Sequence, residues 1–173
     1  MIFNDVLSIV ECEEIVKEFD QTENKNVENK RFYNNAIGAY NLPSSLKFVN
    51  KINDIAKTFF SNIEFQNSYT REYREESFLK IHRDRLGLDL TFSVCLENKN
   101  NIIWPIHVSK KECVDTTELY NNPNNWKEEY ESIHNSIGQA IALQGTKFPH
   151  WRDEFPGIAG QRILYTFYHW KFI

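Results

Sequence analysis

At Ile63 the hydrophobic pattern of this chain changes period, and that change limits the folds open to it. Upstream, apolar residues recur at helical spacing. From Ile63 onward, Ile63, Phe65, Tyr69 and Tyr73 alternate with Glu64, Gln66, Ser68, Thr70 and Glu72, the two-residue period of a strand. Short strand candidates follow at residues 77–82, 90–96, 102–108, 139–144 and 162–171, separated by polar turns and mostly without helices between them. Parallel strands need long crossover connections, usually helical, so this order points to an antiparallel sandwich or jelly roll.

The upstream part supplies two helices. Residues 8–19 open with Ser8 and Glu11 in capping-box spacing and carry Ile9, Cys12, Ile15, Val16 and Phe19 along one stripe. A polar stretch at 21–30 reads as a surface loop, and 31–40 holds a short strand. Pro43 and Ser44 then open a second helical pattern, with Leu46, Val49, Ile52, Ile55, Phe59 and Phe60 on one side and an end near Ser61. Residues 109–138 form a polar insertion. In it Trp126, Tyr130 and Ile133 stand at rough helical spacing, so it reads either as a surface helix or as a lid over an open barrel mouth. The expected organisation is one domain over 1–173, with 1–62 as helical support and 63–173 as a mainly β core interrupted by 109–138.

Composition narrows the function classes. The 41% apolar and 14% aromatic fractions suit a packed interior. A net charge of -4 and 20 scattered basic residues lack the basic stripe of a duplex-binding protein. No apolar run approaches the roughly 18 residues of a membrane span, and no signal-peptide pattern opens the chain, so the expected location is cytoplasmic. Cys12, Cys95 and Cys113 are dispersed, without Cys-x-x-Cys spacing, which fits a reducing compartment and excludes a zinc ribbon.

The stretch with chemistry in it is Phe78-Leu79-Lys80-Ile81-His82-Arg83-Asp84. Side chains two apart on a strand share a face, so His82 and Asp84 can present an imidazole and a carboxylate to one metal ion, with Arg83 turned away. Chance alone gives a His-x-Asp in roughly one such chain in five, so the spacing needs support from elsewhere. Among the other histidines, His107 sits in a strand candidate, His134 in the polar insertion and His169 in the final strand. His150 stands out, since it follows the apolar strand Ala140-Ile141-Ala142-Leu143 and a turn that can deliver a ligand from a strand end. Two His and one carboxylate form the ligand set of non-haem Fe(II) oxygenases, which leaves positions open for a co-substrate and dioxygen. A co-substrate acid on such a metal needs a cationic anchor at its far end. Arg162, twelve residues beyond His150, is the leading candidate.

In this order the elements resemble the Fe(II)- and 2-oxoglutarate-dependent oxygenases of the prolyl 4-hydroxylase-like group. The first-helix residues from Leu7 to Ile15 are similar to that group's, as are Tyr73, nine residues before His82, and the run His150-Trp151-Arg152-Asp153-Glu154-Phe155-Pro156-Gly157. The closing Arg162-Ile163-Leu164-Tyr165-Thr166-Phe167-Tyr168-His169 follows the same order. The resemblance implies a double-stranded β-helix core with the two N-terminal helices packed on it. It implies Fe(II) held by His82, Asp84 and His150, 2-oxoglutarate paired with Arg162, and further contacts from Tyr73 and Thr91. The implied activity is hydroxylation of a small-molecule or peptidyl substrate with dioxygen; related halogenases lack the carboxylate that Asp84 supplies.

Two departures bear on substrate. Prolyl hydroxylases usually anchor with Lys where Arg162 stands, and their acidic Gly-rich turn after the metal pair is replaced by Asn98-Lys99-Asn100-Asn101-Ile102-Ile103-Trp104-Pro105. Two other readings stay open at this level. One is a non-catalytic jelly-roll binding module in which His82 and Asp84 are only a surface pair. The other is a cupin-type metal dioxygenase that does not use 2-oxoglutarate.

Overall fold

The computed structural model describes residues 1–27 and 33–173. In chain order these form β1 (Ile2–Phe3), α1 (Ile9–Gln21), β2 (Asn26–Val27), β3 (Tyr33–Asn34), β4 (Ile37–Tyr40), α2 (Pro43–Lys47), α3 (Val49–Lys57), β5 (Ile63–Arg74), β6 (Phe78–His82) and β7 (Leu90–Glu97). After them come β8 (Ile106–Ser109), α4 (Thr116–Asn121), a 3-10 turn (Pro123–Trp126), β9 (Tyr130–Ile133), β10 (Ala140–Leu143), β11 (His150–Arg152) and β12 (Arg162–Phe172). No helix among the described residues is long and apolar enough to cross a membrane.

The strands make two antiparallel sheets, ordered β1-β10-β7-β12-β5-β4-β2 and β3-β6-β11-β8-β9. This is the jelly roll to which the strand order pointed, and the double-stranded β-helix that the family resemblance implied. Its axis of organisation is β12, which pairs with β5 on one side and β7 on the other. Alternation along β12 separates two environments. Leu164, Tyr168 and Trp170 pack with Cys12, Ile15 and Phe19 of α1 and Ile52 of α3, while Ile163, Tyr165 and Phe167 belong to the inner cluster with Tyr73 and Trp104. Each fully buried Leu or Ile there stabilises the fold by ~1.5–3 kcal/mol relative to exposure, so the helical layer is held on mainly by its apolar stripe.

The start of α1 follows the sequence closely. The Ser8 hydroxyl accepts from Glu11 N, and the Glu11 carboxylate accepts from Ser8 N at 2.7 Å. Because α2 covers part of the outer face of β5, Ser68 and Thr70 on that strand are buried, while Glu64 and Gln66 at its start stay exposed. The Ser68 hydroxyl lies 2.6 Å from that of Ser45, and Thr70 meets Thr166 at 3.2 Å. A half-buried strand was expected there; the helical layer makes both faces interior from Ser68 to Arg71.

Other expectations are corrected. The single helix over 43–61 is two, α2 and α3, because Phe48 takes φ -97° and ψ 1° and turns its ring into the core. Leu46 and Phe59, placed on the buried side by a continuous helix, are consequently exposed. In the 21–30 stretch Gln21 closes α1 and Asn26–Val27 form β2; residues 28–30, and 31–32 of the next segment, lie outside the described residues. The strand expected at 102–108 starts only at Ile106. Before it, Asn98 closes a turn on Ile102, its side chain accepting from Ile102 N and donating to Ile102 O, both at 2.9 Å. In the insertion, Tyr130 and Ile133 lie on a strand, β9, paired with β8, and the helix is instead at Thr116–Asn121.

Candidate metal centre and its pocket

The centre is built across one strand pair. His82 ends β6, His150 begins β11, and the two are direct cross-strand partners with ring centroids 4.3 Å apart. Asp84 follows two residues after His82, its N–H donating to Gly145 O at 2.9 Å. Its Oδ1 stands 3.6 Å from His82 Nε2 and 3.7 Å from His150 Nε2, and one ligand atom from each of the three residues lies within 4.8 Å of the others. The three residues singled out from sequence are thus brought together.

Both imidazoles are oriented in the same way. His82 Nδ1 lies 2.9 Å from Lys80 O and His150 Nδ1 lies 3.1 Å from Phe148 O. A carbonyl can only accept, so each Nδ1 carries the proton and each Nε2 directs a lone pair at the shared centre. This is the outer hydrogen bond that metal-ligating histidines use to fix tautomer and ring angle. The Asp84 oxygen not facing the imidazoles, Oδ2, accepts from Thr91 Oγ1 at 3.4 Å.

Electrostatics favour a cation at this point. Burial pushes the Asp84 carboxyl up, but His150 and His82 outweigh it and hold the group well below the usual carboxylate range. Burial above all takes His150 down to about 4, leaving it neutral near pH 7. The result is a buried carboxylate whose only ion-pair contacts among the described residues are two histidines. A divalent ion fits this donor set: one anionic oxygen and two neutral nitrogens, with no thiolate to divert it to a soft metal.

The metal residues line a cavity of about 460 Å³ between the sheets. Tyr73 and Thr91, named from the sequence as co-substrate contacts, also line it. Tyr73 is fully buried and its hydroxyl accepts from Arg71 Nη1 at 2.9 Å. Thr116 and Tyr120 of α4 reach the same cavity, so the insertion contributes to its mouth. Arg83 ties that mouth down, donating to Thr146 O from one side of its guanidinium and to Val114 O at 3.0 Å from the other.

Arg162 is elsewhere. Its even position on β12 puts it on the helix side, where its guanidinium meets Asp20 at 2.7 Å, Glu97 at 2.7 Å and Glu72 at 2.9 Å. It is not among the cavity residues, and its donors are occupied by carboxylates, so the expectation of a co-substrate anchor there is not met. The inward positions of β12 hold Tyr165, Phe167 and His169 instead. His169, weighed against His150 in the sequence, lies in the cavity with its Nδ1 3.0 Å from Asn67 Oδ1. His107 faces away, bound to Ser132 Oγ at 2.8 Å and Asp153 Oδ2 at 3.2 Å. Trp151 packs against His107, and Trp104 lies beneath Arg152, so both tryptophans are buried packing groups. Missed as cavity residues were Arg71 and Asn67, which the alternation of Tyr69 and Tyr73 could have placed on the inner face.

No protein family model matches the chain, and no curated protein does at the sequence level. Solved structures do. A prolyl-4-hydroxylase from Pseudomonas putida is similar over 100% of this chain and 92% of its own, with TM-score 0.71 and 12% identity. The non-heme alpha ketoglutarate dependent epimerase SnoN from nogalamycin biosynthesis gives TM-score 0.78 at 10% identity, covering 99% of this chain and 78% of its own. HygX from Streptomyces hygroscopicus, with nickel, 2-oxoglutarate and hygromycin B bound, gives 0.72 at 9%, covering 99% and 82%. The chain has the double-stranded β-helix fold of these proteins.

Proposed function

We propose that this protein is a non-haem iron oxygenase that couples oxidative decarboxylation of 2-oxoglutarate to hydroxylation of a further substrate. The observation that carries this reading is the convergence of His82, Asp84 and His150, with both histidine tautomers fixed by backbone carbonyls, inside the fold of 2-oxoglutarate-dependent enzymes. In this reading the three residues hold Fe(II). The bound metal supplies, with 2-oxoglutarate and dioxygen, the oxidising power needed to break an unactivated C–H bond.

The protein's own part is placement and shelter. Asp84 brings one negative charge to the ion and Thr91 holds its second oxygen, so the carboxylate keeps one orientation through turnover. Leu79, Ile106, Leu143 and Phe167 form apolar walls that limit water near the reacting atoms. The neutral Nε2 atoms need lose no proton on metal binding, which keeps the site ready near neutral pH. Tyr73 and Thr91 border the space a co-substrate would fill, and the face toward Tyr40 and Tyr120 is left for the primary substrate.

The test is Fe(II)-dependent release of succinate from 2-oxoglutarate under air. The expected result is succinate formation that Asp84→Ala reduces to background. Succinate formation undiminished in Asp84→Ala would remove the reading.

A further inference from the structure

The charges that line the cavity do not balance. Arg71, Arg83, Arg85 and Arg152 all reach it, and Asp84 is the only carboxylate that does among the described residues. The chain as a whole has a net charge of -4, so this excess of cations is local to the cavity. A divalent ion adds two positive charges and a dicarboxylate co-substrate removes two, which leaves the cavity as positive as before. A cleft of one sign concentrates ligands of the opposite sign. The excess therefore bears on the molecule that enters after the metal and the co-substrate.

Of the four arginines, Arg85 is the one placed to meet that molecule. Arg71 and Arg152 are buried, and Arg83 donates to the carbonyls of Thr146 and Val114. Arg85 is exposed, directly follows Asp84, and makes no ion pair among the described residues. A turn fixes its backbone at the rim, with Leu88 N donating to Arg85 O at 3.2 Å. Burial above all takes His169 down to about 4, and Arg71 and Arg85 add to the fall against the pull of Asp84, so both guanidiniums stand within electrostatic reach of that imidazole. His169 in turn bonds Asn67, which shares the inner face of β5 with Tyr69.

The wall on that side is aromatic. Tyr40 and Tyr69 are cross-strand partners on β4 and β5 with ring centroids 4.3 Å apart. The Tyr69 ring is held from beneath, since a Cβ at Gly38 would collide with its hydroxyl. Tyr40 and, from α4, Tyr120 are exposed, which leaves aromatic surface at the mouth. A guanidinium fork beside such a wall suits a flat ring that carries an acidic group: the acid on the fork, the ring against tyrosine.

We infer that the primary substrate of this site is a small anion built on a flat ring, a carboxylate or a phosphate ester, with its acidic group held by Arg85 and its ring against Tyr40. This rests on the function proposed above and names the class of molecule that the site takes.

The test measures binding, without turnover, in protein loaded with Mn(II) and saturated with 2-oxoglutarate under anaerobic conditions. Paramagnetic Mn(II) relaxes the protons of a small molecule bound near it, so phenylacetate, phenyl phosphate, phenylacetamide and benzyl alcohol are ranked by NMR titration. Wild type is expected to bind at least one of the two acids about 10-fold more tightly than either neutral compound, the scale of one charge-assisted hydrogen bond. Which acid is the tighter tells a carboxylate substrate from a phosphate. In Arg85→Gln the preference is expected to fall to within about 3-fold. It is expected to persist in Lys80→Gln, which removes an exposed cation on β6 that does not line the cavity. Tyr40→Ala is expected to weaken the tighter acid by about 3- to 10-fold. Both Arg85 and Tyr40 are exposed, so neither change removes a core group. No acid preference in wild type, no binding of either acid at millimolar concentration, a preference kept in Arg85→Gln or lost in Lys80→Gln, or unchanged binding in Tyr40→Ala overturns the inference and leaves the proposed function standing. Failure of Mn(II)-loaded wild type to bind 2-oxoglutarate at all overturns the proposed function, and this inference with it.

Discussion

Gly145 shows how tightly the centre constrains single residues. A Cβ added there would lie 1.9 Å from Asp84 Oδ2, while the Gly145 carbonyl accepts from Asp84 N. Gly145→Ala therefore has to displace the carboxylate, since the backbone that holds it cannot move independently. The expected outcome is a circular dichroism spectrum like wild type with metal affinity lowered about 10- to 100-fold, the range seen when support around a ligand is disturbed. Equilibrium dialysis against Fe(II) or Ni(II) measures it, and unchanged affinity would show that Asp84 is not a ligand. The same scale separates the histidines. His107 touches Ser132 and Asp153 on the far side of β8, so His107→Ala is expected to leave metal affinity unchanged. His82, Asp84 and His150 were readable from spacing because strand period and turn position act locally. Arg71 and His169 were harder to see, because facing the cavity depends on which side of each strand the helices cover.

Among the elements, the insertion behaves as a mouth component held by Arg83. This residue alternates away from the metal, as the strand period requires, and uses that direction to bind the carbonyls of Thr146 and Val114. It links the strand of the metal pair to the segment leading into α4, whose Thr116 and Tyr120 line the cavity. Arg83→Met is expected to speed hydrogen exchange across residues 114–121 by about 10-fold, leaving β5, β7 and β12 protected. Exchange unchanged in that segment would show that packing alone positions α4. Helix α1 gives a simpler expectation. Loss of the capping hydroxyl in Ser8→Ala should cost about 1 kcal/mol, read from urea unfolding. The capping box was legible because all its partners lie within one turn. The break at Phe48 and the strand at Tyr130–Ile133 were not, because each depends on a tertiary partner: the core that receives the Phe48 ring, and the edge of β8 that β9 extends.

For the whole molecule, Arg162 is a tie between layers. It joins Asp20 of α1, Glu72 of β5 and Glu97 of β7 from the first position of β12. Read from sequence as an anchor for an acid, it does bind acids, but those of its own chain; strand alternation decides the face, and Phe167 and His169 place the odd residues inside. The Arg162 hydrogen bond holds Asp20 below the usual carboxylate range, and for Glu97 burial pushes up but Arg162 and Lys99 outweigh it. Folded pKa values below the unfolded ones, about 3.9 for Asp and 4.3 for Glu, mean a contribution fully present above those values and lost as pH falls through the folded ones. Wild type should thus lose stability below about pH 4 more steeply than Arg162→Met, while at pH 7 the variant should be less stable by about 1.5 kcal/mol, because Glu97 loses Arg162 but keeps Lys99 at 2.9 Å. Urea unfolding followed from pH 3 to pH 7 checks both.

In the proposed function one centre, His82, Asp84 and His150, holds a metal and, through it, a 2-oxo acid. Anaerobic titration of Fe(II)-loaded protein with 2-oxoglutarate, followed in the visible region, reads that chelate directly through its weak charge-transfer absorption. The expected result is a saturable band in wild type that is absent in His82→Ala, Asp84→Ala and His150→Ala and present in His107→Ala. No band in folded, iron-loaded wild type, or a band that survives His150→Ala, would contradict the account.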